Sequence, residues 1–418
     1  MMEKTVWIWN HYATNMIKDR AGRHYSFAEN LRKRGYNPII FCASTNHFSN
    51  ENIDITNKKY RVDTVDNITF VIVKTPAYLG NAKKRLVNMI SFYKNIFPVA
   101  KEYAKKYGKP DVILASSVHP LTLIAGIKIA KKFSIPCLCE VRDLWPESIV
   151  AYGGLKRTSL IAKMLYRGEK WIYKKADKLI FTMEGGSDYI IERGWNTQKG
   201  GPVDLKKVYH INNGVDREAF NDSQKFYQFE DEDLDNEQTF KVIYTGSIRL
   251  VNHVKTIVDA AQVVEKKAVS KIVFLIYGDG SDRKNLVAYC KENNISNVVF
   301  KGYVDKNKIP YVLSKSNLNI IHFEDNQIKK YGASLNKLFE YFASGKPTVS
   351  DCEFGYDLIK RYNSGIVVDH ADAKQLAKTI IQFSEMPPHE YKHYCQNAIK
   401  AAADYDYQRL TEKLIELI

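Results

Sequence analysis

The chain has 418 residues, of which 45% are hydrophobic and 26% charged, and a formal net charge of +15. This length suits two large domains, and the composition excludes a single small binding module, a fibrous protein and a disordered chain. Residues 1–218 hold all the excess charge, with 36 basic against 20 acidic side chains, whereas residues 219–418 have 26 against 27. A basic half is either an ordinary solvated surface or a face for an acidic partner, with nucleic acid and an anionic membrane as candidates.

The sequence predicts a cytosolic protein without a transmembrane helix. Its most apolar long stretch, 112–130, is interrupted by Ser116, His119, Pro120 and Lys128, which a spanning helix would bury in lipid. The N-terminus leads into a strand-like run rather than a secretory signal. Six cysteines without a C-x-x-C pair indicate core thiols, not a disulfide framework or a zinc site.

Short β-rich runs alternate with helical spacing of apolar residues through the first half. This alternation predicts a mostly parallel sheet covered on both faces. The predicted strands are 6–9, 38–42, 68–73, 112–115, 137–141, 179–182 and 208–211, and the predicted helices include 24–34, 121–132 and 159–175.

Residues 83–97 are basic at their start, with Lys83, Lys84 and Arg85, and apolar afterwards. The pattern is typical of a helix on a membrane surface, and equally of a core helix whose first turn is solvated. Both interpretations are open at this stage.

The second half repeats the alternation, which predicts a second α/β domain. An acidic segment between the halves, 221–238, is expected to be a linker or surface loop. Residues 391–418 are predicted to be helical, with their end packed on the first domain. The predicted strands are 242–244, 272–277, 298–300, 318–322, 348–349 and 366–368, and the predicted helices are 256–265, 286–292, 337–343 and 373–383.

The most specific local pattern is a loop of small residues that leads into a helix at about residue 335, which Gly345 and Pro347 bring to an end. The first turn of such a helix offers unpaired backbone N–H groups and the positive end of its dipole, which suit a phosphate. Glu340 lies one turn below Asn336, where a carboxylate can accept hydrogen bonds from a ribose diol. The alternative is an ordinary core helix with Glu340 in solvent.

Further candidates follow the ends of predicted strands, where doubly wound sheets bind ligands. Arg249 and Lys255 come after the strand 242–244, and two cations there can neutralise a diphosphate without a metal. The turns Tyr277-Gly278-Asp279-Gly280 and Gly302-Tyr303-Val304 lie at the ends of the next two strands, although ordinary tight turns explain a Gly-x-Gly equally well.

Candidates in the first half also follow strands. His119 and Asp143 lie at sheet ends, where either can touch a ligand, although His119 equally suits a structural role before Pro120. Glu147 shares a charged run with Asp143, and Arg142 is either part of this site or a structural ion-pair partner. Arg23 and His24 open the first long helix, where a positive helix end and a cation suit a phosphate.

Together these residues give the chain a recognisable pattern. It resembles family 4 of the retaining GT-B glycosyltransferases, and more closely their bacterial capsule and O-antigen polysaccharide branch. The motifs that carry the resemblance are Arg142-Asp143-Leu144-Trp145-Pro146-Glu147-Ser148, Asn212-Asn213-Gly214-Val215-Asp216, Tyr244-Thr245-Gly246-Ser247-Ile248-Arg249 and Tyr331-Gly332-Ala333-Ser334-Leu335-Asn336-Lys337-Leu338-Phe339-Glu340-Tyr341.

The resemblance implies an α/β fold with two Rossmann-like domains facing a central cleft and a C-terminal helix that crosses back to the first domain. The implied acceptor domain is 1–218 with the helix at about 400–418, and the implied nucleotide-sugar domain is 219–399. In this reading Glu340 binds ribose, Tyr303 and its neighbours bind the base, and Gly22 lets the backbone approach a phosphate. In the first half, His119 or Asp143 touches the acceptor or the donor sugar, and Arg23 with His24 meets an acceptor phosphate. The remaining implied donor contacts are Gly246, Ser334, Leu335, Asn336 and Lys337, with Arg249 and Lys255 at the diphosphate.

One departure from the family pattern concerns the donor sugar. Many relatives carry a glutamate eight positions before the ribose-binding one, where this chain has Gly332. Glu324 or Asp325 is the candidate substitute, and the alternative is that no carboxylate replaces it, since the polysaccharide branch often lacks this glutamate.

The resemblance further implies a retaining transfer from a UDP-sugar with no metal or other cofactor, and we expect a polyprenyl-diphosphate-linked saccharide as acceptor at the inner face of the cell membrane. The donor phosphate oxygen takes the acceptor proton, so that no dedicated base is needed. Two alternatives are a non-catalytic subunit that binds UDP or a partner enzyme, and a GT-B sugar-nucleotide epimerase. The D-x-D strings at 231–233 and 404–406 do not follow strands, so no metal site is predicted, and no nucleic-acid motif is present.

Overall fold

The computed structural model describes residues 3–46, 52–56, 58–78, 81–267, 271–323, 326–368 and 372–418. They form two compact units: residues 1–212 with 407–418, and residues 213–406. The sequence placed the division at 218 and the return to the first unit at about 400. The structure puts these crossings at Asn212 and Tyr407.

The first unit is a sheet with helices on its faces. Its described strands are β1 (Thr5–Trp9), β2 (Asn37–Ala43), β3 (Tyr60–Val65), β4 (Ile68–Val73), β5 (Val112–Ser116), β6 (Cys137–Val141), β7 (Lys178–Phe181) and β8 (Val208–His210). Its described helices are α1 (Met16–Asp19), α2 (Arg23–Lys33), α3 (Ala82–Tyr107), α4 (Pro120–Phe133), α5 (Glu147–Ala151), α6 (Leu160–Lys175) and α7 (Gly186–Glu192), together with the last helix of the chain, α17 (Tyr407–Ile415).

The strand order of this sheet is β3-β4-β2-β1-β5-β6-β7-β8, parallel except for β3, which is antiparallel to β4. Strand β3 was missed by the sequence analysis because it mixes polar with apolar residues and none of them is buried, as on a sheet edge. The order reverses between β1 and β5, so the loops after these strands meet at the carboxyl edge. The aromatic core includes Trp7, Trp9 and Phe41, all fully buried.

The second unit has its own sheet. Its described strands are β9 (Phe240–Thr245), β10 (Ile272–Tyr277), β11 (Val298–Gly302), β12 (Leu318–Ile321), β13 (Thr348–Ser350) and β14 (Gly365–Val367). Its described helices are α8 (Arg217–Phe226), α9 (Glu232–Asp235), α10 (Lys255–Lys266), α11 (Arg283–Glu292), α12 (Ile309–Ser314), α13 (Asn336–Ala343), α14 (Leu358–Tyr362), α15 (Ala373–Ser384) and α16 (Pro388–Asp404).

All pairings in this second sheet are parallel, in the order β11-β10-β9-β12-β13-β14. This is the Rossmann order, which reverses between β9 and β12 and leaves a crevice outside the carboxyl ends of those strands. Helices α10 and α15 pack on one face over Val258, Ala261 and Ile380, which are fully buried.

The acidic segment 221–238 is not a linker, and that prediction was wrong. It contains the end of α8 and all of α9, and Leu234 is fully buried. Asp231 and Asp233 form ion pairs with Lys301 at 2.5 and 2.6 Å. A run of carboxylates is read as a solvent-exposed loop when the cation that pairs with it, here Lys301, lies far away in the sequence.

The predicted C-terminal helix is divided by Tyr405 and Asp406 into α16 and α17. In the second unit, α16 packs against α13, whereas α17 packs against α2 of the first unit. The Tyr407 ring lies 5.5 Å from that of Phe27. In the described part of the chain, none of the helices combines the length and apolar character needed to cross a bilayer.

Candidate functional site

A cavity of about 580 Å³ opens at the carboxyl edge of the second sheet, a size typical of small-molecule sites. Segments from four neighbouring elements line it: the ends of β9 and β10, the loop after β11 and the first turns of α13. Six of the eight predicted donor-binding residues are in its lining, namely Gly246, Tyr303, Leu335, Asn336, Lys337 and Glu340.

The floor of the cavity is backbone. Gly246 and Gly278 have φ angles of +149° and +147°, which side chains rarely tolerate. A Cβ on Gly278 would lie 1.8 Å from the carbonyl oxygen of Gly246. The close approach of the two strand ends therefore requires glycine at 278, whereas a Cβ on Gly246 would lie 2.6 Å from the Lys337 ammonium.

Helix α13 presents one polar face to the cavity and buries the other. Leu338, Phe339 and Phe342 are buried, which fixes the rotation of the helix. No side chain caps its first turn at Leu335, and although the Leu338 N–H donates to the Leu335 carbonyl at 3.1 Å, the helix start presents its positive end to the cavity. The predicted alternative, a core helix with Glu340 in solvent, is wrong, since Glu340 is partly buried in the cavity wall.

Lys337 and Glu340 have opposite charges and opposite pKa shifts. Burial lowers the pKa of Lys337 to about 8, an effect that the Glu340 carboxylate partly offsets. Burial raises the pKa of Glu340, against the attraction of Lys306 and Lys337. The Lys337 ammonium also lies 4.1 Å from the centre of the Tyr244 ring, a cation–π contact that holds it at the end of β9.

Ser334 supports the loop before α13 and does not line the cavity. Its hydroxyl accepts a hydrogen bond from the backbone N–H of Asn213 at 3.0 Å, and its carbonyl accepts one from the Asn213 side chain at 2.9 Å. The Asn-Asn-Gly motif thus fixes the start of the second unit to the loop that leads into α13.

Arg249 and Lys255 lie beyond the cavity lining, after β9. Arg249 is exposed. Lys255 forms an ion pair with Asp259 at 2.8 Å and lies 4.3 Å from the Tyr289 ring. In this structure the Lys255 ammonium is held on its own helix, at a distance from the site the sequence assigned to it.

Lys306 and Thr245 line the cavity but were not assigned by the sequence analysis, whereas Tyr277 and Val304 belong to the two turns that it singled out. Position in the sequence could have identified all four, because each lies at or just after the end of a strand. Tyr341, one turn from Lys337, is also structural here: its hydroxyl oxygen accepts a hydrogen bond from the Thr245 N–H at 3.0 Å and joins α13 to β9.

The carboxyl edge of the first sheet carries a pair of histidines, His11 after β1 and His119 after β5. His11 Nδ1 lies 2.6 Å from His119 Nε2, and the His11 ring stacks on Phe92 at 4.4 Å. Burial lowers the pKa of His119 to about 3, with a smaller contribution from Arg85. His119 is therefore neutral at pH 7.

Arg23 and His24 surround Glu140, at the end of β6, instead of forming an open anion site. Arg23 forms an ion pair with Glu140 at 2.7 Å and donates to the backbone carbonyl of Ile211. His24 Nε2 lies 2.9 Å from Glu140, which also accepts from Ser116 at 2.8 Å. These buried contacts give Arg23 and His24 a structural role in place of the predicted contact with an acceptor phosphate.

Burial opposes ionisation of Glu140, but Arg23 and His24 hold its pKa well below the usual range. Burial lowers the pKa of His24, which Glu140 partly counteracts. The network is thus an ionised carboxylate paired with a permanent cation in the interior of the first unit.

The remaining predicted residues of the first unit differ in exposure. Glu147 is buried, accepts from the Tyr166 hydroxyl at 2.7 Å and pairs with Arg157. Asp143 is exposed and Arg142 is half-buried, its backbone N–H bonded to Ser117. Gly22 precedes α2 with a φ of +108°. Glu147 therefore supports the first unit, while Asp143 remains accessible.

Glu324 and Asp325, the candidate substitutes for the glutamate absent at Gly332, lie outside the described residues. Within the described ranges, no three His, Cys, Asp or Glu side chains are grouped so that they could hold a metal ion.

Two family models match the chain, one in each half. Residues 23–219 match Glycosyltransferase Family 4, and residues 227–402 match Glycosyl transferases group 1. None of the curated proteins matches the chain.

Solved structures with the same fold cover nearly the whole chain. Anabaena Alr3699/HepE in complex with UDP and glucose has a TM-score of 0.65 at 14% identity, over 99% of this chain and 98% of the other. WaaG, a glycosyltransferase involved in lipopolysaccharide biosynthesis, has a TM-score of 0.65 at 15% identity, over 99% of each chain. An E. coli protein described as trehalose-6-phosphate, bound with UDP-2-fluoro glucose, has a TM-score of 0.70 at 10% identity, over 99% of this chain and 98% of the other. The predicted fold of two Rossmann-like domains is confirmed.

Proposed function

The chain combines the Family 4 and group 1 domains of a GT-B glycosyltransferase, and on that premise we propose that it transfers a sugar from a UDP-sugar to a lipid-linked saccharide. The observation that carries the proposal is the cavity of the second unit, where two glycine strand ends, an uncapped helix start, Lys337 and Glu340 line one space. A nucleoside diphosphate has the matching groups: a diol, two phosphates and a base.

Each group of the donor has a matching residue type. The Glu340 carboxylate accepts hydrogen bonds from the ribose diol, and the α13 N–H groups with Lys337 bind the diphosphate. Tyr303, 73% exposed at the rim, offers its ring to the uracil. In solved GT-B structures UDP is present beside glucose or as a UDP-sugar analogue, which supports this choice of nucleotide.

The chemical step requires stabilisation of the departing UDP. We propose transfer with retention, in which the donor phosphate oxygen takes the acceptor proton while Lys337, Arg249 and the start of α13 stabilise the negative charge without a metal. Lys255 contributes only after it leaves Asp259. His119, neutral because of its low pKa, and the exposed Asp143 are proposed to position sugar hydroxyl groups.

The proposed acceptor is a polyprenyl-diphosphate-linked saccharide in the synthesis of a bacterial surface polysaccharide such as capsule or O-antigen. The net charge of +16 on residues 1–218 supports an anionic acceptor and attachment to the inner face of the cell membrane from the cytoplasm. The part that WaaG plays in lipopolysaccharide biosynthesis is consistent with this pathway class.

Thermal unfolding with a panel of nucleotide sugars tests the donor. UDP and one UDP-sugar are expected to raise Tm, since a ligand of the folded state stabilises it with its occupancy. Glu340→Ala is expected to abolish the increase, whereas Glu390→Ala, at an exposed residue of α16, leaves it unchanged. An unaltered UDP response in Glu340→Ala would contradict the site assignment.

Radiolabelled transfer to membrane lipids tests the reaction. Activity that survives EDTA and falls at least about 100-fold in Arg249→Ala, as expected for loss of a transition-state contact, supports the mechanism. UDP binding without transfer to any lipid extract would instead identify a non-catalytic subunit. Turnover of the UDP-sugar without an acceptor would identify an epimerase.

A further inference from the structure

Helix α6 of the first unit exposes large apolar side chains at its start. Leu160 is 83% exposed, Ile161 59% and Met164 62%, values unusual for residues of this size in a folded domain. The opposite side of the helix is in the core, with Ala162 and Tyr166 buried. The exposed residues are therefore not an incompletely folded core but one defined face.

Basic residues share this face. Lys163, Arg167, Lys174 and Lys175 are exposed on α6. Its one acidic residue, Glu169, points inward and accepts hydrogen bonds from the Tyr173 and Tyr189 hydroxyls, each at 2.8 Å. The solvent side of α6 thus combines apolar and cationic groups without a carboxylate.

The positions along the helix follow the pattern of an interfacial helix. Leu160, Met164, Arg167 and Trp171 recur every three or four residues, so they form one stripe. Trp171 is 36% exposed and lies two turns beyond Met164. An indole is favoured at the boundary between acyl chains and water, where its ring is apolar and its N–H is wet.

A second apolar group lies in the same helical layer. Helix α4 packs against both α3 and α6, and all three run back from the carboxyl edge of the parallel sheet, so their first turns lie at one end. The first turns of α3 expose Leu86 and Val87 at 57% and 55%, beside Lys83 and Lys84.

We propose that this docking face, formed by Leu160, Ile161, Met164 and Trp171 with Lys163 and Arg167, inserts into the surface of an anionic lipid bilayer. The proposal rests on the proposed lipid-linked acceptor and names the element that binds the membrane. A bilayer fits because cations attract its headgroups while the apolar side chains enter below them. The carboxylate-free composition fits an anionic surface better than an average protein partner.

Sedimentation of the full chain with vesicles tests the proposal. Binding is expected to vesicles with phosphatidylglycerol and to be much weaker with phosphatidylcholine alone. Leu160→Ser/Ile161→Ser/Met164→Ser should reduce binding at least about tenfold by removing the inserted groups. Lys163→Gln/Arg167→Gln should reduce it about 25-fold, at about fivefold for each cation lost.

Matched controls lie on the second unit. Phe226→Ser, at a residue 78% exposed, and Lys284→Gln/Lys291→Gln, both exposed on α11, should leave vesicle binding unchanged. Brominated lipids should quench Trp171 fluorescence, a signal that Trp171→Phe removes.

The outcomes separate this inference from the donor proposal. Loss of vesicle binding in the α6 variants with an intact UDP-induced rise in Tm supports the docking face. The docking face would be overturned if both α6 variants bound vesicles as well as the wild type does, or if the wild type bound neutral vesicles as well as anionic ones. Either result leaves the UDP-sugar assignment standing. A different result would reassign the face to a second copy of the chain. In that case the wild-type protein does not bind vesicles, and sedimentation equilibrium shows that it is a dimer, which the triple variant converts to a monomer.

Discussion

The two units use nearly the same strand order but fill the carboxyl edge of the sheet differently. In the second unit, glycines follow β9 and β10, and the space outside them is a cavity of about 580 Å³. In the first unit, the residues around β1, β5 and β6 include His11, His119 and Glu140, which engage buried partners. The comparison shows that a topological switch point provides a place for a ligand, and that side-chain size decides whether the place is open.

The largest expected effect concerns the carboxyl edge of the first sheet, which buried side chains fill. Glu140→Gln should lower the free energy of unfolding by about 3–5 kcal/mol, because it leaves the Arg23 guanidinium buried without its anion. Denaturant unfolding measures this change. Glu412→Gln, which removes an exposed partner of Arg34, should cost about 0–1 kcal/mol. Similar values for the two variants would show that the Glu140 network is not a structural ion pair.

The same network predicts a pH dependence. The pKa of Glu140 is lower in the folded state than in the unfolded chain, so its contribution to stability is present above the unfolded pKa and is lost as the pH falls towards the folded one. The stability difference between wild type and Glu140→Gln should therefore shrink below about pH 4.

An intermediate effect tests the open edge. Gly278→Ala should cost about 2–3 kcal/mol of stability and abolish the UDP-induced rise in Tm, since its Cβ would collide with the Gly246 carbonyl. Gly35→Ala is the matched control, with a φ of +78° but no neighbouring atom within 4 Å of its Cβ. It should cost about 1 kcal/mol and leave UDP binding intact. Retained UDP binding in Gly278→Ala would contradict a backbone floor for the site.

The smallest expected effect concerns the charges of the cavity. UDP affinity should fall as the pH rises through about 8, where Lys337 loses its proton. It should also fall on acidification, starting at a higher pH than for an ordinary glutamate, because the pKa of Glu340 is raised. On the acidic and the alkaline limb of this pH profile, the affinity for UDP should change by about tenfold per pH unit. Calorimetry from pH 5 to 9.5 measures both limbs. Lys337→Arg should remove the alkaline limb, and a limb that persists in this variant would exclude Lys337 as its source.

Most strands and helices could be predicted from local patterns, since buried parallel strands are continuous apolar runs, as at Ile272–Tyr277. The cavity was also largely predictable, because Gly246, Tyr303 and the start of α13 all follow strands. Distant pairings were not predictable: Glu140 with Arg23, Glu147 with Tyr166, and Lys301 with the acidic segment. Sequence shows a charged side chain but not its partner, so Arg23, His24 and Lys255 were predicted as ligand contacts.

The return of the chain to its first unit bears on biosynthesis. Helix α17 packs on α2, and Tyr407 contacts Phe27, so the first unit includes residues that are translated after the whole second unit. On the ribosome, where domains generally fold in order of synthesis, the amino-terminal unit must wait for α17 until the whole second unit has been synthesised. The second unit is one uninterrupted segment, so a released chain truncated before residue 407 should keep a folded second unit beside an unfinished first one.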